Sequence, residues 1–130
     1  MLRDRVVVQR LDNVKGAVEV FARSGGRWVS RRLKLPANSQ MVIRAAHASG
    51  TRIFLTSESF LEPTRLWVAD AVSGQVRSVA ALPARFKAGT HSVEQLWAVS
   101  KDGTRIPYFL VRPKRGVKPG ETPTLLFGYG

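Results

Sequence analysis

The sequence predicts a mainly β protein: two blades of an unfinished β-propeller, then a β-hairpin and one further strand. Three observations predict it. Short β-branched runs with alternating polarity are punctuated by glycine and proline, and no stretch offers three turns of amphipathic helix. The pattern also repeats: Ile53-Phe54-Leu55 answers Val6-Val7-Val8, Leu66-Trp67-Val68 answers Val18-Glu19-Val20, Ser73-Gly74 answers Gly25-Gly26 and Leu82-Pro83 answers Leu35-Pro36. An offset of about 47 residues falls in the range of propeller blades, each a four-stranded antiparallel sheet. Third, Lys101-Asp102-Gly103-Thr104 sits between two apolar runs, and Asp-Gly tolerates the positive φ that a tight hairpin demands.

The elements follow in order. Arg5 to Leu11 forms a strand ended by Asp12-Asn13, and Gly16 to Phe21 resumes after the turn. Ser24-Gly25-Gly26 turns the chain into a third strand, Trp28 to Leu35, which Pro36 stops. Met41 to Ala45 supplies a strand between the repeats, and the second repeat then runs to Leu82-Pro83. Ala84 to Thr90 has few large apolar residues beyond Phe86 and marks the boundary between the repeats and the hairpin. Gln95 to Ser100 is the first hairpin strand. In the second, Pro107 lacks an N–H and so belongs at a sheet edge or a bulge. Arg112 to Pro123, rich in proline, glycine and lysine, reads as a surface loop. Thr124 to Phe127 is apolar on both faces, as expected of a strand inside a sheet covered on both sides, and it breaks at Gly128-Tyr129-Gly130. Two blades do not close a ring, and a buried strand needs partners, so both ends are expected to be incomplete.

Composition narrows the function. The chain has 130 residues and no cysteine, which excludes disulfides and thiolate metal sites. No apolar run approaches the roughly 20 residues of a membrane span, and no signal core follows the N-terminus. A soluble protein without an export signal is expected, cytoplasmic or periplasmic. With 21 Lys+Arg against 9 Asp+Glu the formal charge is +12. The dense spots, Arg31-Arg32-Leu33-Lys34 and the loop bearing Arg112, Lys114, Arg115 and Lys118, lack the interleaved aromatics that stack bases. They read as solvated surface, with no specific nucleic-acid or membrane partner.

Nucleophilic chemistry has little to work with. There is no Gly-x-Ser-x-Gly elbow; Ser24, Ser49 and Ser73 adjoin glycine but occupy turns between strands. His47 and His91 lie in loop or boundary positions without a carboxylate at motif spacing, and Asp70 and Asp102 read as turn residues. Neither a metal site, a phosphate loop nor a cofactor site is expected.

Ser100-Lys101-Asp102-Gly103-Thr104-Arg105-Ile106-Pro107, Phe109-Leu110-Val111 and Pro123 to Gly130 together resemble the entry into the catalytic domain of the prolyl oligopeptidase family of serine peptidases. Ser59-Phe60-Leu61-Glu62-Pro63 is similar to that family's Ser-Phe-Leu-Thr-Pro element near the end of its propeller. The resemblance implies the last two blades of a propeller over 1–88 and the first strands of an α/β-hydrolase domain over 89–130, truncated. It implies hydrolysis of short peptides after proline, and an oxyanion-hole role for the hydroxyl of Tyr129. Phe127 departs from the family's more frequent tyrosine, and the nucleophile, Asp and His of the triad are absent from the chain. The chain alone is therefore expected to be inactive. A relative cleaving after basic residues is the nearest enzymatic alternative. A non-enzymatic, propeller-like module holding an acidic partner or nucleic acid through its basic surface is the other.

Overall fold

The computed structural model describes residues 2, 4–118 and 120–128. Its strands form three antiparallel sheets, with one short 3-10 turn, Ala88–Thr90, between the second and the third. The first sheet contains β1 (Arg5–Asp12), β2 (Lys15–Ser24) and β3 (Arg27–Arg32), in that order. The second contains β4 (Gln40–Ala46), β5 (Arg52–Glu58), β6 (Arg65–Asp70) and β7 (Val76–Ala81). The third is the hairpin of β8 (His91–Val99) and β9 (Arg105–Pro113).

The sequence repeat is a structural repeat. β5, β6 and β7 stand in the second sheet as β1, β2 and β3 stand in the first, so β1 corresponds to β5 and the place matching β4 is vacant beside β1 among the described residues. The second sheet is the expected four-stranded blade and the first has three of its strands. The core lies between them. Alternation on β5 sends Ile53, Leu55 and Ser57 inward and leaves Phe54 outside, while β2 contributes Val18 and Val20 and β4 contributes Met41. Ser57 is buried but satisfied, since the Trp67 indole Nε1–H donates to its Oγ at 2.8 Å.

Hydrogen bonds at both ends fix one sheet on the other. Gly16 at the head of β2 donates its N–H to the Ser39 carbonyl at 2.9 Å; a Cβ there would lie 2.5 Å from that oxygen, so only glycine allows this approach. At the other end Arg31 of β3 reaches the loop after β6, donating to the carbonyls of Val72 at 2.6 Å, Ser73 at 2.9 Å and Ala71 at 3.2 Å. Arg5 Nε adds a 3.2 Å bond to the Ala71 carbonyl.

Two sequence expectations change. β3 ends at Arg32 rather than at Leu35, because the chain turns inward there to bury Leu33 in the core. Thr124 to Phe127 joins no ladder, and Leu125, Leu126 and Phe127 are 91%, 95% and 84% exposed. An apolar strand needs hydrogen-bonding neighbours and a covered face, and no described residue supplies either. Pro107 sits on β9 opposite Trp97, in a two-stranded sheet where each strand is an edge, as its missing N–H requires.

Candidate functional site

Strand direction sorts the loops of the two blades into two ends. The connections after β1, β3, β5 and β7 emerge at one end, and those after β2, β4 and β6 at the other. The hairpin β8–β9 meets the first end.

Its contacts begin with sequence chemistry. Asn13 and Val14 form the two-residue turn between β1 and β2, both with positive φ, 49° and 61°. Asparagine tolerates that region; a β-branched valine does not readily. The carbonyl between them accepts a hydrogen bond from Gln95 Nε2 of β8 at 2.6 Å. In the next blade Ser59 folds its own loop, its Oγ accepting the N–H groups of Leu61 at 3.3 Å and Glu62 at 3.0 Å. That turn presents the Phe60 ring to Phe109 of β9, with centroids 5.3 Å apart. The Ser59 to Pro63 element and the Phe109 to Val111 run, far apart in sequence, thus meet in space. A cleft of about 470 Å³ opens beside them, lined by Val14, Asn38, Phe60, Pro63 and Phe109 among others. The Asn38 Oδ1 is buried there without a hydrogen-bond partner.

The residues that sequence reasoning weighed for catalysis lie elsewhere or serve turns. Ser24, Ser49 and Ser73 all fall at the end remote from the hairpin. Ser49 Oγ is 2.8 Å from His47 Nδ1, but both belong to one exposed loop, and among the described residues no carboxylate bonds that ring. His91 contacts Thr90 Oγ1 at 2.9 Å and stacks edge-on with Phe86. Asp70 organises the loop that Arg31 grips: its Oδ1 accepts the N–H groups of Ser73 at 2.7 Å and Val72 at 3.0 Å, and its Oδ2 accepts Thr51 Oγ1 at 2.6 Å. Those bonds, the Ser73 N–H foremost, lower its pKa to about 2. Asp102 is likewise a turn residue, its pKa lowered chiefly by the Thr104 N–H at 3.0 Å, beside Gly103 at φ 84°. Among the described residues no cluster of His, Cys, Asp or Glu could hold a metal ion. Tyr129 lies outside the described residues.

Comparison with known proteins places these sheets. The model of the prolyl oligopeptidase N-terminal β-propeller domain matches residues 1–81. The chain belongs to the prolyl oligopeptidase family. An uncharacterized peptidase, y4nA, of Sinorhizobium fredii is 43% identical over 128 residues, covering 98% of this chain and 18% of that protein. A post-proline cleaving enzyme from Rickettsia typhi superposes with a TM-score of 0.71 at 28% identity, over 91% of this chain and 17% of that one. Oligopeptidase B from Trypanosoma brucei gives a TM-score of 0.83 at 20% identity, over 100% of this chain and 20% of its own, a likeness of fold. The chain thus spans less than a fifth of the curated relative's length.

Sequence reasoning found the meeting elements but not their contacts. Phe60 and Phe109 were legible as parts of two motifs. Gln95 and Arg31 carried no signal, because a long polar side chain reaching a backbone carbonyl leaves no spacing or pattern behind.

Proposed function

We propose that this chain is the junction of a serine peptidase that cleaves short peptides after proline, comprising the end of its propeller over 1–88 and the first strands of its catalytic domain over 89–130. The observation that carries the reading is the meeting of Ser59 to Pro63 with the hairpin, which brings two of the stretches that resemble the family together at one end of the blades. The Rickettsia typhi enzyme, at 28% identity, supports cleavage after proline over cleavage after basic residues.

In this reading the Tyr129 hydroxyl donates to the oxyanion that develops as the scissile carbonyl becomes tetrahedral. A neutral donor aimed at charge absent from the ground state favours the transition state alone and acts on kcat. The nucleophilic serine, its histidine and its aspartate come from chain beyond these 130 residues. No cofactor or metal takes part.

The test compares a chromogenic peptide cleaved after proline with one cleaved after arginine. The chain alone is expected to hydrolyse neither. The longer protein carrying it is expected to favour the prolyl peptide, and Tyr129→Phe to lower kcat by about 10²-fold to 10³-fold with KM little changed. Hydrolysis by the purified chain itself, or a preference for arginine, overturns the reading.

A further inference from the structure

The hairpin is seated by few contacts, and one of them holds a backbone in a conformation its residue disfavours. Val14 has φ 61°, a region costly for a β-branched side chain. Rotating the Asn13–Val14 peptide about its flanking bonds returns Val14 to negative φ and turns the Asn13 carbonyl away. That carbonyl is the acceptor of Gln95 Nε2 at 2.6 Å. The bond between the hairpin and the turn therefore favours the peptide orientation that Val14 resists. Phe109 against Phe60 is the second attachment. Two modest attractions stand against a local backbone cost, which is the energetic make-up of a closely balanced equilibrium.

We propose that Gln95 and Phe109 form a two-point latch between the hairpin and the blades, with the Asn13–Val14 peptide as its bistable element. Seated, the hairpin fixes the carbonyl and closes one wall of the cleft. Released, the peptide turns over, Val14 relaxes and the cleft widens. The acceptor is main chain, so Asn13→Asp, which keeps that carbonyl and a residue tolerant of positive φ, keeps the latch, whereas Gln95→Ala removes its donor.

The absence of cysteine makes the test direct. Spin labels are placed on the full chain at S30C and K101C, both exposed, and the distance distribution is measured by pulsed dipolar spectroscopy, with far-ultraviolet circular dichroism confirming that the sheets persist. The parent chain is expected to give a dominant short-distance population. Gln95→Ala and Phe109→Ala each shift at least half of it to longer distance, Asn13→Asp leaves it in place, and Val14→Gly enlarges it by removing the cost of positive φ. Gln95→Glu gives a pH signature: its carboxylate cannot donate at neutral pH and the latch opens, but protonation below about pH 4 restores a donor and closes it. An unchanged distribution in both Gln95→Ala and Phe109→Ala, or a Gln95→Glu distribution that ignores pH, overturns the proposal. Should Phe109→Ala lose its sheets, Gln95→Ala and the Gln95→Glu titration decide alone. No substrate is involved, so peptidase assays and this measurement fail independently.

Discussion

The hairpin has the more regular ladder and the blades have the interior. β8 and β9 pair over nine residues without a register shift, whereas the second blade has irregularities at Ile43/Ala45 and Leu66/Trp67. Yet among the described residues every buried apolar side chain lies between Leu2 and Ala71, in the blade region, and the hairpin leaves Trp97, Val99, Ile106 and Tyr108 substantially exposed. Backbone pairing gives the hairpin its shape; side-chain burial gives the blades their stability. An isolated two-stranded sheet is marginal in water, so the hairpin's persistence depends on what it rests against.

Four experiments break or sharpen that contrast, taken from the largest expected effect. Leu55→Ala empties a fully buried position between the two sheets and should cost about 2–5 kcal/mol by denaturant unfolding. A smaller loss there would mean that the blades hold no true core. Gly16→Ala drives a methyl into the Ser39 carbonyl and should cost about 1–3 kcal/mol, with amide exchange accelerating in β2 and β4 and little change in β8. Equal acceleration in β8 would show that the two regions unfold together.

The third experiment is a titration. The folded pKa of Asp70 lies below its ordinary 3.8, so its stabilising bonds are fully present above about pH 4 and are lost as pH falls through about 2. Stability should drop over that window, and Asp70→Asn should flatten the part of the profile this carboxylate supplies. The hairpin's Asp102 shifts in the same direction but rests in an exposed turn, where such bonds stabilise less. The smallest effect is expected at Leu126→Ala, which removes a side chain that touches almost nothing and should change unfolding by less than about 0.5 kcal/mol. A large loss would reveal burial of the tail.

The sequence carried the strands because alternation and glycine turns act locally: Ile53 in and Phe54 out is a period of two, and Asp102-Gly103 sets its own turn. It carried the blade architecture because a repeat is visible wherever two copies exist. Thr124 to Phe127 shows the limit of such reading. Its residues describe the environment the segment suits, and no partner strand is present among the described residues to provide it. The Arg31 grip and the Gln95 bond span 40 and 82 residues of chain, and separations of that size are decided by how sheets stack. The positive φ of Val14 runs against its own local preference, so no propensity argument leads to it.

The loop after β6 sorts its peptide groups by sign. The amides of Val72 and Ser73 point to the Asp70 carboxylate, while the carbonyls of Ala71, Val72 and Ser73 point to the Arg31 guanidinium. Opposite charges on separate blades are thereby joined through aligned amide dipoles without touching. Neutralising either one should loosen the other's bonds, so a double-mutant cycle on Arg31 and Asp70 should return a coupling energy for two side chains that share no direct contact.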